Sequence, residues 1–175
     1  MNPIAYPYLP EGRNILYVPA DNEFMVMARE YADSHSTDRQ HSTGAVIVKE
    51  GKVIGRGANQ VPLKNPQLKE LHKNGWCVRK ILKIKSGEKY WLCPGCSKSS
   101  DHAESRAVRD ALKNEKNVAG ADLYLWGHWW CCKPCWDAMV AAELKNIFLI
   151  EGSEKMFDKN HKENIIGRQF EATTK

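Results

Sequence analysis

Apolar positions recur along this chain in two periods, and the switches between them mark out the elements. After Asn22, residues Phe24, Ala28, Tyr31 and His35 fall at near-helical spacing, with Met25, Met27 and Ala32 widening the stripe. A helix is predicted there, capped by Asn22, whose side-chain oxygen can accept from a free N–H of the first turn. Polar residues 36–42 break the pattern. Residues 43–48 form a short apolar run, Glu50-Gly51 is a turn signal, and residues 52–57 read as the returning strand of a hairpin.

From Pro62 and Pro66 to about Asp101 the chain reads as irregular. Segments this long are uncommon without internal support or function. Beyond it, Ala103, Ala107, Val108 and Ala111 share one face of a helix over 103–112. Gly120 closes that region, and 123–126 reads as a strand. A second helix is predicted over 133–144, with Met139, Val140 and Leu144 among its apolar positions and Pro134 in its first turn, where the missing N–H costs nothing. Residues 147–150 form another strand. Residues 1–20 read as an extended arm, and the polar tail from 152 onward is unassigned. The expected architecture is one domain over 21–175 with an insertion at about 61–101. Strands alternating with helices predict parallel pairing in the second half. With the antiparallel hairpin this gives a mixed sheet covered by helices, a three-layer α/β/α fold.

Composition narrows the classes. A chain of 175 residues with 42% hydrophobic residues suits one domain with a real core. No apolar run reaches membrane-spanning length, and residues 1–10 lack the pattern of a secretory signal, so the cytoplasm is the expected location. Within a net charge of +5, Lys80, Lys83 and Lys85 form the densest basic cluster. It is either a solvated face or an attractor for an anion such as a nucleotide phosphate. The six cysteines fall in two groups, 77/93/96 and 131/132/135. In a reducing compartment close thiols bind metal more often than they pair.

His102-Ala103-Glu104 stands where the irregular segment meets a predicted helix, and Cys132-Lys133-Pro134-Cys135 opens the next one. One imidazole and two thiolates suit zinc and leave a fourth position open for water. Zinc lowers the pKa of such a water to about 7. Glu104, two residues from the histidine, is placed for general acid–base work. Two blander readings compete. One is a closed structural zinc site with Cys131 as fourth ligand, and the other is a redox Cys-x-x-Cys pair. Neither gives Glu104 a role.

Together these motifs form the zinc deaminase signature, and the chain resembles the cytidine and deoxycytidylate deaminase superfamily over about residues 22–151. The hairpin Thr43-Gly44-Ala45-Val46-Ile47-Val48, Gly51 and Val53-Ile54-Gly55 carries the resemblance, together with Asn59 and the two metal motifs. It implies a mixed five-stranded sheet between helices, Glu104 as catalytic residue, and zinc on His102, Cys132 and Cys135. It also implies sugar contact by Asn59, a base edge held near Ala103 and Cys132, and homo-oligomerisation. The cysteine-bearing insertion is similar to that of deoxycytidylate deaminases, which implies a second zinc on Cys77, Cys93 and Cys96; His41, His72 and Asp38 are candidates for its fourth ligand. Trp129 resembles an aromatic pocket wall of related deaminases; both it and Trp130 are otherwise core candidates. His128 faces either the substrate or a local hydrogen bond.

Two departures stand out. Cys131 occupies the usual proline position, and Gln60 follows Asn59 where regulated members have glycine, which puts deoxynucleoside triphosphate control in doubt. The expected reaction is hydrolysis of dCMP to dUMP and ammonia on a small-molecule nucleotide, with no nucleic-acid partner. Arg79, Lys80 and Arg106 are the phosphate candidates, and the tail residues His161 and Arg168 either close over the substrate or belong to a solvated tail. The alternatives are a superfamily deaminase acting on cytidine, guanine or transfer-RNA adenosine, and a zinc-binding interaction module without catalysis.

Overall fold

A computed structural model describes residues 8–38, 41–84, 89–158 and 160–165. Its elements are β1 (Asn14–Val18), α1 (Glu23–His35), β2 (Gly44–Lys49), β3 (Lys52–Ala58), α2 (Pro66–Lys73), α3 (Val78–Ile81), α4 (Ala103–Asn114), β4 (Asp122–Trp126), α5 (Lys133–Ala141), β5 (Asn146–Ile150) and α6 (Ser153–Phe157). The five strands form one sheet in the order β1-β5-β4-β2-β3. The β2–β3 and β2–β4 pairs are antiparallel, while β4–β5 and β1–β5 are parallel. The expected mixed sheet is therefore the observed one.

Alternation along the central strands explains the layers. Ala45, Ile47, Leu123, Leu125, Ile147 and Leu149 pack in one cluster with Ala103, Ala107, Trp136 and Met139 of α4 and α5. Their neighbours Val46, Val48, Tyr124, Trp126 and Ile150 pack with Met25, Ala28 and Ala32 of α1 and with Phe157 of α6. Both faces of these strands are covered, so they read as continuous apolar runs. The hairpin turns through Glu50 and Gly51, both at positive φ (51° and 75°), the twist that suits a two-residue connection. Asn22 caps α1 as expected, accepting from the Phe24 and Met25 N–H groups at 3.1 and 3.2 Å.

One close approach sets the position of α4. A Cβ on Gly57 of β3 would lie 2.1 Å from the Ala103 carbonyl oxygen. Only glycine lets the first turn of α4, and the residues it carries, sit this close to the sheet.

Some elements differ from the pattern reading. The arm contains β1, an edge strand that pairs with β5 from Asn14↔Asn146 to Val18↔Ile150. Leu16 and Tyr17 are exposed, so burial left no alternation to read. The irregular insertion contains α2 and α3. Asn65 caps α2 by accepting from the Leu68 N–H at 3.0 Å, and Pro66 fills its first turn. Leu68 and Leu71 face outward, which hid its helical stripe. The helix read as 133–144 ends at Ala141, and the tail contributes α6. Among the described residues no helix is long and apolar enough to cross a membrane.

Candidate metal centre and active site

His102 is the cap residue of α4, and Cys132 is the cap residue of α5. The two helix starts lie side by side at one end of the sheet, and their dipoles favour negative charge there. The Cys132 and Cys135 sulfurs are 3.4 Å apart, and His102 Nδ1 is 3.5 and 3.4 Å from them. These three atoms converge as a potential metal site. Zinc bonds of ~2.3 Å to sulfur and ~2.0 Å to nitrogen in a tetrahedron put donor atoms ~3.5–3.8 Å apart. The observed triangle fits that ion with slight contraction, and its donor set of one imidazole and two thiols is chemically suited to it.

The surroundings set the charge state. The His102 ring, whose Nδ1 faces the thiols, also hydrogen-bonds the Ser97 backbone. Burial lowers the His102 pKa, but the Cys132 hydrogen bond and the Glu104 and Cys132 charges outweigh it, so the net shift is upward. Cys132 is brought down to about 5, first by its hydrogen bond with Cys135 and, against the cost of burial, by His102. Cys135 is pushed well up by the same sulfur contact and by burial. Ser105 Oγ lies 3.5 Å from its sulfur.

Glu104, in the first turn of α4, is 4% exposed and lines a cavity of about 290 Å³ beside the triangle. That volume is at the lower end for a small-molecule site. Cys131 is fully buried, stands outside the triangle, and hydrogen-bonds Glu104; burial and that carboxylate raise its pKa strongly, so it remains a thiol. It is thus no fourth ligand.

The cavity wall brings together most of the residues singled out from the sequence. Ala103, Asn59, His128, Trp129 and Trp130 line it. Asn59 is tightly held: its Oδ1 accepts from Ser36 Oγ (2.6 Å) and the Thr43 N–H (3.0 Å), and its Nδ2 donates to the His41 carbonyl (2.5 Å). Both tryptophans serve wall and core, with ring centroids 6.0 Å apart in an edge arrangement. Of the phosphate candidates, Arg79 and Lys80 line the cavity, and the Arg79 guanidinium lies 3.9 Å above the Tyr90 ring. Arg106 instead faces Asp101 at 3.9 Å. His161 is not on the wall, and Arg168 lies outside the described residues.

The sequence reading missed Tyr90, Asp158 and Asn160, which also line the cavity. Tyr90 meets the His102 ring edge-on at 5.7 Å. No motif surrounds them; their position depends on how the insertion and the tail fold back.

The second cysteine group closes on itself. His72, Cys77, Cys93 and Cys96 converge as four donors. Cys77 Sγ is 3.8 and 3.7 Å from the Cys93 and Cys96 sulfurs, and Cys96 Sγ is 3.6 Å from His72 Nε2. These spacings match a tetrahedral zinc with no open position. Of the three candidates for fourth donor, His72 joins the group, while Asp38 and His41 stand on the cavity wall. Gly95 makes room for it, because a Cβ there would lie 2.3 Å from His72 Cδ2.

The family described as "Cytidine and deoxycytidylate deaminase zinc-binding region" matches residues 19–151, which include the hairpin, both metal motifs and the insertion. The chain belongs to this family. Zinc is accordingly the metal of this deaminase domain, whose His/Cys groups are arranged to receive one. None of the curated proteins matches the chain. Solved structures similar to it include the dCMP deaminase of the cyanophage S-TIM5 in complex with dCMP and dUMP. That pair shares 19% identity over 74% of this chain and 80% of the other, with a TM-score of 0.47. A structure from work on tRNA:A34 deaminases, in A-to-I editing at the wobble position, is 22% identical over 73% of this chain and 75% of that one, TM-score 0.43. The diaminohydroxyphosphoribosylaminopyrimidine deaminase/5-amino-6-(5-phosphoribosylamino)uracil reductase of Thermotoga maritima is 20% identical over 73% of this chain, TM-score 0.41. The chain spans only 29% of that last protein's length.

Proposed function

We propose that this chain hydrolyses the 4-amino group of a cytosine nucleotide, converting dCMP and water to dUMP and ammonia. The observation that carries the proposal is a three-donor metal triangle, His102, Cys132 and Cys135, opening onto a cavity that Glu104 also lines. A non-catalytic zinc module needs no such opening.

Zinc bound by these three residues would supply an acidified, oriented water at neutral pH. Glu104 then handles the protons: its carboxylate takes one from the water, delivers it to ring N3, and later helps the amino group leave as ammonia. Cys131, as a buried thiol, holds the Glu104 carboxylate in the wall. Trp129 and Trp130 offer apolar surface to the base, and Asn59 retains one amide hydrogen for the sugar. Arg79 and Lys80 support a substrate with a phosphate, because they are the cations among the cavity-lining residues.

Ammonia release by the zinc-loaded protein tests the substrate, measured on dCMP, CMP, deoxycytidine, cytidine, guanine and an adenosine-containing RNA hairpin. The expected result is turnover of dCMP well above the rest. Preference for another of these compounds would overturn the nucleotide assignment and keep the deaminase chemistry.

A further inference from the structure

His128 follows β4 and lines the cavity beside the metal triangle. Its Nδ1 is within hydrogen-bond distance of two backbone donors, the Trp129 N–H at 3.0 Å and the Trp130 N–H at 3.2 Å. A backbone N–H can only donate, so Nδ1 must be the acceptor and the proton of the neutral ring must sit on Nε2. The ring cannot turn over to exchange the two nitrogens without breaking both bonds. Trp130 also braces it edge-on, at 5.0 Å between centroids and 90° between planes. Among the described residues, no side chain hydrogen-bonds Nε2. A donor of fixed tautomer at the wall of a binding cavity is the arrangement expected of a group that reads a ligand.

We propose that His128 is a specificity-determining residue, presenting a fixed Nε2–H donor to a carbonyl oxygen of the base bound in this cavity. The inference rests on the deaminase reading above for the ligand being a nucleobase. It goes beyond that reading in giving the site a neutral donor distinct from the cations Arg79 and Lys80. A neutral donor suits a neutral carbonyl, as cations suit a phosphate. A site built around such a donor discriminates strongly against bases that lack the matching acceptor, because the N–H is then left unpaired.

The test separates the turn from the donor. In His128→Asn the side-chain oxygen falls near the place of Nδ1 and can accept from the same two N–H groups, but nothing replaces Nε2–H. The variant is expected to keep its melting temperature and zinc content while kcat/KM on dCMP falls by about 10- to 100-fold, the range for losing one buried hydrogen bond to substrate. His128→Gln, whose amide reaches the Nε2 position, is expected to recover part of the loss. Wild-type kinetics in His128→Asn would overturn the proposal and leave the residue a turn-former only. Nitrogen-15 NMR of the wild-type histidines provides a readout independent of turnover. The His128 ring should be the Nε2–H tautomer, and its Nε2 proton should move downfield when dUMP is added. A proton on Nδ1, or an Nε2–H resonance indifferent to saturating dUMP, would contradict the proposal. Inactivity of the wild-type protein on dCMP would instead count against the proposed function, and the tautomer would still be read.

Discussion

Arg79 stands two residues after Cys77 with its guanidinium over Tyr90, so the segment that brings Cys77 to the second donor group also carries a cation onto the cavity wall. Charge-assisted hydrogen bonds contribute about 1.5–3 kcal/mol. Replacing Arg79 with Gln is therefore expected to raise KM for dCMP by about 10- to 100-fold and to leave deoxycytidine turnover nearly unchanged. Equal losses on both substrates would make Arg79 a strut and not a phosphate contact. A second prediction concerns protons and metal. Cys132 is held at about 5 against an ordinary 9.0, so its thiolate is favoured in the folded protein. The stabilisation from that shift is complete above the ordinary value, shrinks below it, and is lost as pH falls through about 5. Cys135 is shifted the other way and keeps its proton, which zinc must displace. Zinc binding to chelator-stripped protein should thus release protons at pH 7, and affinity should fall with decreasing pH and collapse below about 5. Calorimetry in buffers of different ionisation enthalpy reads both, and an affinity flat from pH 5 to 8 would contradict the assignment.

At the scale of elements, the insertion is a unit held by side chains more than by backbone pairing. Its short helices α2 and α3 are tied by His72, Cys77, Cys93 and Cys96, and the exposure of Leu68, Leu71, Ile81 and Leu82 leaves little core beneath them. Cys93→Ser is expected to lower zinc from two ions per chain to one and to speed proteolysis within residues 61–101, with the sheet remaining folded. Two ions in the variant, or unchanged cleavage, would sink this account of the cluster. The same contrast explains what the sequence disclosed. The elements from α1 to the β2–β3 hairpin, and from α4 to β5, were legible because each buries a periodic set of side chains. β1 and α2 were not, since an edge strand with Leu16 and Tyr17 outward and a helix with outward leucines have no buried face to pattern. The triangle of His102, Cys132 and Cys135 was legible because the donor types and spacing of its two motifs match the zinc deaminase signature. His72 was one of three candidates, because only the fold of the insertion brings it, and not Asp38 or His41, to the other thiols.

Across the whole molecule, the sheet gathers distant segments at one end. Gly44 pairs with both Ala58 and Trp126, so the residues just beyond these positions, Thr43, Asn59 and the 128–132 loop, converge outside the carboxyl end of β4. That is where the antiparallel hairpin meets the parallel pair, a topological switch point of the kind at which α/β sheets place their ligands. α4 and α5 start there and bring Glu104 and the metal donors, and the tail after α6 adds Asp158 and Asn160. The central claim is that this convergence is a catalytic centre in which Glu104 moves the protons and three other residues hold zinc. The most direct test is ammonia release from dCMP by the wild type and by Glu104→Gln, with zinc quantified in both. The account predicts equal zinc content and a fall in kcat of about 10²- to 10⁴-fold, the usual contribution of a positioned general acid–base. A Glu104→Gln protein that retains wild-type turnover at full zinc occupancy would contradict it.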